Sequence, residues 1–195
     1  QDVTLEIRRG EVLALLGENG AGKSTIMKIL YGLYHADQGT IVRDGAEQVI
    51  TSPRDAMKLG IAIIQQHFSL VPAHTVIENI ILGTVRGTID YSSHEAKLTA
   101  LAQKYGFAVD PHQKISDLDV GQQQKVEILK ALYMDASLLI MDEPTAVLTP
   151  QETDHLIQFI RDFTDQGNAV IFITHKLKEV MAVADRMVAA GKRCS

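Results

Sequence analysis

The sequence predicts an α/β fold: a mostly parallel sheet interrupted by an all-helical insertion. Three observations carry that reading. Several short runs are continuously apolar, the pattern of strands buried on both faces of a sheet. These runs alternate with segments of helical periodicity, the order that parallel strand–helix–strand units produce. Between about residues 67 and 133 the strand signals vanish and helical segments replace them.

Residues 3–7 look like a first strand, and Val12–Leu16 like a second that is apolar throughout. A glycine-rich turn follows at 17–22, then a helical pattern over roughly 23–31. Residues 40–42, 46–50 and 61–64 look like further short strands, separated by Asp44-Gly45 and Ser52-Pro53, both turn signals. Helices are expected over 75–82, 93–105 and 122–133. Beyond them, 138–141 and 169–173 are apolar strands flanking a helix at 150–163. That helix carries its own start signal: Thr149 as N-cap, Pro150 in the first turn and Glu152 completing a capping box. Leu156, Ile160 and Phe163 give it a core-facing stripe.

At 195 residues the chain fits one domain with a small inserted subdomain and is long enough to bury a core. The apolar share of 46% and charged share of 22% are those of an ordinary globular protein. A net charge of −5 gives no support to a sequence-independent grip on nucleic acid. Cys194 is the one cysteine, which excludes an internal disulfide, fits a reducing compartment and leaves Cys194 as a spare surface thiol. No stretch reaches the ~18 consecutive apolar residues of a membrane helix, and the opening residues show no basic-then-apolar signal pattern. Service to a membrane is therefore expected to go through a partner. Gln1 follows no Met and the chain opens straight into a strand-like run, so an N-terminal piece is expected to be missing.

Gly17-Glu18-Asn19-Gly20-Ala21-Gly22-Lys23-Ser24 satisfies the pattern G-x-x-x-x-G-K-[ST], directly after a strand and before a helix. Glycines let backbone N–H groups curl around phosphate oxygens, and the helix N-terminus adds its positive dipole end. Lys23 is placed to reach the β and γ phosphates, and the Ser24 hydroxyl to complete a Mg²⁺ shell.

A second group of candidates ends an apolar strand: Leu138-Leu139-Ile140-Met141 runs into Asp142-Glu143. In a parallel sheet that strand end lies at the carboxyl edge, where ligands sit. Asp142 is expected to hold Mg²⁺ through water, and Glu143 to polarise an attacking water as general base.

With these motifs in place, the sequence resembles the ABC ATPase family over essentially its whole length. The resemblance implies a P-loop NTPase parallel-sheet core with an N-terminal antiparallel β portion and an inserted helical subdomain. The core would cover about 1–66 and 135–195, the helical subdomain about 67–134, with the domain truncated at both ends. It further implies ATP with Mg²⁺ as ligands, held by Gly17, Glu18, Asn19, Gly20, Ala21, Gly22, Lys23, Ser24 and Thr25. Ile64-Gln65-Gln66-His67-Phe68 is similar to the family's glutamine loop, with Gln66 as the residue that contacts Mg²⁺ or the water and reports nucleotide state. Leu118-Asp119-Val120-Gly121-Gln122 resembles the signature motif, which in the family contacts the γ-phosphate bound to the opposite subunit. Thr174-His175 matches the family's switch histidine. Catalysis would thus rest on Glu143, His175 and Gln66, and the metal on Ser24, Gln66 and Asp142.

The runs 65–78, 123–133 and 144–152 are similar to importers of simple sugars and nucleosides, most of which fuse two ATPase domains. This chain resembles the first of the two. The implied partners are a second ABC ATPase domain (a second copy or a fused half), transmembrane permease subunits and, indirectly, a substrate-binding protein, with no nucleic acid. The implied location is peripheral, on the cytoplasmic face of the plasma membrane.

Four departures qualify the resemblance. Asp119 replaces the signature serine, and an ionised carboxylate can only accept hydrogen bonds and would repel a phosphate. The alternative is that Asp119 points away and caps the next helix. Thr149 stands where many members carry aspartate. The aromatic residue that stacks on adenine lies upstream of this chain, and residues 191–195 leave the family pattern. Three readings follow: an importer's energy-coupling subunit, a soluble non-transport ABC ATPase, and a nucleotide-binding module impaired in catalysis. The coiled coils, zinc insertions and basic linkers of the second class do not appear.

Overall fold

The computed structural model describes residues 4–17, 22–66, 68–82 and 89–189. Strands apolar at every position have no wet face, so they need cover on both sides. Here they find it. In chain order the elements are β1 (Val12–Leu16), α1 (Lys23–Leu30), β2 (Ile41–Arg43), β3 (Ala46–Gln48), α2 (Pro53–Lys58), β4 (Ile61–Ile64), α3 (Val76–Ile81), α4 (Tyr91–Lys104), α5 (Val120–Tyr133), β5 (Leu138–Asp142), α6 (Pro150–Asp165), β6 (Ala169–Thr174), α7 (Leu177–Val183) and β7 (Arg186–Ala189), with a 3-10 turn at Ile115–Asp117.

The main sheet has the order β4-β5-β6-β1-β7, and every neighbouring pair is parallel. Side chains alternate between its faces with period two. Leu139, Met141, Val170 and Phe172 join one apolar cluster with Ile80, Leu98, Leu129 and Phe159 from the helices α3 to α6. Ile140, Ile171 and Ile173 turn the other way, onto Met27 of α1 and Ala56 of α2. Phe172 is fully buried, and its truncation to Ala would cost about 3–5 kcal/mol.

The strands β2 and β3 pair antiparallel outside this sheet. Asp44 and Gly45 close the hairpin with φ of 50° and 81°, the left-handed pair that a two-residue turn matching strand twist requires. The helices α3 and α4 pack on α5, and Lys97 of α4 caps the end of α5 by donating to the Tyr133 carbonyl at 2.9 Å.

Several expectations are corrected. Among residues 4–7 no strand forms; Leu5 and Ile7 instead lay half-buried side chains against the cluster around Met27. The alternation belongs to an amphipathic coil, whose Glu6 carbonyl accepts from the Arg186 side chain of β7 rather than from a strand backbone. Ser52-Pro53 is not a turn but a helix start: Ser52 accepts from the Asp55 N–H and Pro53 opens α2, which the sequence reading missed. Both α7 and β7 were also missed: each is short, and apolar residues stand on its exposed side too, Leu177 and Met181 in α7 and Met187 in β7, which blurs the pattern. Residue 67 and Cys194 lie outside the described residues.

Candidate functional site

The strand β1 delivers Gly17 to the carboxyl edge of the sheet, and the chain re-enters the described region at Gly22. Glu18, Asn19, Gly20 and Ala21 lie outside it. Gly22 has φ 89°, a conformation strained for any side chain, and serves as N-cap of α1 with no side-chain cap. The first-turn N–H groups of α1 therefore have no side-chain acceptor at their N-cap, the arrangement that receives anions at helix starts. Lys23 is only 6% exposed and donates from Nζ to the Gly17 carbonyl at the end of β1. Ser24 and Thr25 stand exposed beside it.

Two strands away, β5 ends in Asp142. Burial pushes the Asp142 carboxyl above its ordinary range and the Glu143 charge adds to this, while Lys23 and Lys28 pull it down. Glu143 follows in the left-handed region at φ 49°, a conformation that costs any residue with a Cβ about 1–3 kcal/mol. Its N–H is held by the Ile173 carbonyl at 2.9 Å. The turn aims the side chain along the sheet edge, where Oε1 lies 2.8 Å from Nδ1 of His175. Its other oxygen, Oε2, is buried without a hydrogen-bond partner among the described residues. The His175 ring is 58% exposed, while the Glu143 side chain is 13% exposed. Thr174 shapes the turn that presents His175, donating to Glu179 at 3.0 Å and accepting from the Lys176 N–H at 3.1 Å.

Gln66, exposed beyond the end of β4, lines a groove of about 360 Å³ with Phe68, Leu70, Pro72, Val120 and Val147. The sheet thus brings Lys23, Asp142, Glu143 and His175 to one edge, and the groove brings Gln66 to the start of α5. In the signature run, Leu118 is buried and Val120 exposed. Asp119 is the N-cap of α5: its Oδ1 accepts from the Gln122 N–H at 2.7 Å, while Gln122 Oε1 accepts from the Asp119 N–H at 3.0 Å. The capping alternative is the one the structure adopts. Gly121 has no room for more: a Cβ there would meet Oε1 of Glu152 at 1.9 Å.

The residues present fit a magnesium–nucleotide complex. An orphaned buried carboxylate oxygen on Glu143, a left-handed glycine opening a helix and a buried lysine are complementary to water and polyphosphate. Among the described residues no group of three or more His, Cys, Asp or Glu is placed to hold a metal ion unaided.

Two polar residues of α5 escaped the sequence reading. Gln124 and Glu127 are nearly buried, at 4% and 8% exposure, among Val126, Ile128 and Leu129. Their signal was available: two polar residues three apart on the buried side of a helix.

A parallel sheet with a glycine-turned helix after β1 and an acid pair at the end of β5, two strands away, defines a phosphate-loop α/β protein. The chain belongs to the ABC transporter family, whose model matches residues 1–146. It is 50% identical over 188 residues to the nucleoside import ATP-binding protein NupA of Lactococcus lactis subsp. cremoris, covering 95% of this chain and 37% of that protein. It is 46% identical over 216 residues to the glucose import ATP-binding protein TsgD13 of Haloferax volcanii, covering 95% and 39%. The chain thus spans less than two fifths of the length of these relatives. Among solved structures, the dimeric bacterial ABC transporter cassette MJ0796 matches with a TM-score of 0.82 at 23% identity, covering 97% of this chain and 85% of that one, a likeness of fold.

Proposed function

We propose that this chain binds Mg²⁺-ATP and hydrolyses it to power import of a simple sugar or nucleoside. The observation that carries the proposal is the row of Lys23, Asp142, Glu143 and His175 along one carboxyl edge, with Glu143 Oε1 on His175 and Oε2 unpartnered. Relatives that are sugar and nucleoside import ATP-binding proteins support the cargo class.

In this reading Gly17 to Thr25 cradle the phosphates, with Lys23 moving from the Gly17 carbonyl to phosphate oxygen. Ser24, Gln66 and Asp142 hold Mg²⁺, which supplies charge neutralisation for the phosphates. Glu143 Oε2 accepts a proton from the attacking water, and His175 donates a hydrogen bond toward the γ-phosphate. Leu118 to Gln122 face the nucleotide of a second ATPase domain, a second copy or a fused half. The core comprises about 1–66 and 135–195; the helical part, about 67–134, docks on permease subunits, for which the groove beside Gln66 is suited. A substrate-binding protein is an indirect partner. Among the described residues no helix is long and apolar enough to cross a membrane. The import role of the relatives supports a peripheral place on the cytoplasmic face of the membrane, through those partners.

The test is the steady-state ATPase rate of the purified chain against protein concentration, with Lys23→Ala as blank. A rate that rises faster than linearly and vanishes in Lys23→Ala supports pairing on ATP. Failure of the native chain to bind Mg²⁺-ATP at all would overturn the reading.

A further inference from the structure

Buried polar side chains on a helix are retained only when something consumes them, because an unpaired one costs about 1–3 kcal/mol. The helix α5 carries two on one face. Gln124 donates from Nε2 to the carbonyl of Pro144 at 2.7 Å, a buried contact that crosses from the helical segment to the loop after the acid pair. Pro144 is the residue next to Glu143, whose left-handed backbone sets the aim of its carboxylate. Glu127 accepts from the backbone N–H of Ser69 through Oε1 at 2.7 Å, and Ser69 follows Gln66 by three residues in the loop after β4. The Glu127 charge also reaches Tyr31, just beyond α1, whose phenol is pushed up by burial and then by Glu127. Three residues apart on a helix, Gln124 and Glu127 point to the same side.

We propose that Gln124 and Glu127 are positioning residues that tie the loop of Glu143 and the loop of Gln66 to one rigid helix. The helix α5 opens with Asp119 to Gln122, so its N-terminal end cannot shift without moving both loops, and a nucleotide that draws in either loop moves the signature run. This deepens the ATPase reading and rests on it for the second half of its test. Neither residue touches nucleotide; each acts through a backbone atom of the loop it holds.

The experiment is amide hydrogen exchange on the native chain and on Glu127→Leu, Glu127→Gln and Gln124→Met. Without nucleotide, the Ser69 amide is expected to exchange about tenfold to a hundredfold faster in Glu127→Leu, the loss appropriate to a hydrogen bond on a charged acceptor. Glu127→Gln keeps an acceptor oxygen at the same place and should stay within about threefold of native. The Ile171 amide, deep in β6, reports global stability and should not change in step. Equal acceleration at Ser69 and Ile171, or no acceleration at Ser69, would overturn the proposal. With Mg²⁺-ATP, native chain should gain protection together at Ser69, Ala146 and Gln123, and the Gln123 gain should disappear when Glu127→Leu and Gln124→Met are combined. Persistence of that gain would also overturn it. If native chain ignores Mg²⁺-ATP, the ATPase reading falls, while the nucleotide-free arm still decides the clamp.

Discussion

Glu143 and His175 come from the ends of two different strands and meet at 2.8 Å, Oε1 to Nδ1. The contact spends one carboxylate oxygen and leaves the other buried and unpartnered among the described residues. Glu143→Gln keeps shape and removes the base. Hydrolysis is expected to drop by about a hundredfold or more, with the Kd for Mg²⁺-ATP within a few-fold of native. Single-turnover rates with a nucleotide-binding assay check this, and unimpaired turnover in Glu143→Gln would remove the residue from the mechanism.

Asp119 contributes as a helix cap. Asp119→Ala is expected to destabilise the chain by about 0.5–2 kcal/mol, and Asp119→Ser, which can also cap, by a few tenths at most. Denaturant titration separates the two. If serine at this position costs as much as alanine, the capping box is not what Asp119 supplies.

The raised Asp142 pKa has a definite sign for stability. A carboxyl that holds its proton more tightly in the folded chain favours folding fully below its unfolded pKa, about 3.9, and loses that contribution as pH rises through the folded value. The neutral variant Asp142→Asn should therefore melt higher than native near neutral pH without nucleotide, by on the order of 2 °C. The gap should close toward about pH 4. Calorimetry across pH decides it, and a gap that is constant with pH would exclude Asp142 as the source.

Gly121 and Glu152 compete for one space. Glu152 is pinned there, accepting from the Thr149 N–H at 2.7 Å as part of the capping box on α6. Gly121→Ala should displace it at a cost of about 1 kcal/mol, the worth of a cap. In a double-mutant cycle with Glu152→Ala the costs should be less than additive. Strict additivity would show that the added methyl group is accommodated without moving Glu152.

The sheet strands were legible because continuous apolar runs such as Leu138–Asp142 and Ala169–Thr174 admit few other environments. Thr149-Pro150 announced α6 for a local reason, and the same chemistry at Ser52-Pro53 was mistaken for a turn because α2 is too short to show periodicity. Lys23 stood out through the G-x-x-x-x-G-K-[ST] pattern, Asp142 and Glu143 through the apolar strand they end, and His175 only through the family resemblance. What no local pattern could supply was that the Gln124 amide reaches Pro144, 20 residues on, or that Glu127 reaches back to Ser69. Those contacts depend on how α5 lies across the sheet, and Asp119 was ambiguous because capping and phosphate contact ask for similar side chains at the same position.

The strand order carries a consequence for assembly. Val12 pairs with Val170 and Leu13 with Arg186, so β1 gains both neighbours only from the far end of the described chain. While the polypeptide is being synthesised, β1 waits with its fully apolar strand unpaired through the making of every helix up to α6. Long-range parallel pairing of this kind forms slowly and leaves sticky edges exposed meanwhile. The phosphate loop hangs from that same waiting strand, so a ribosome-bound chain has no finished pocket until β6 slides between β5 and β1.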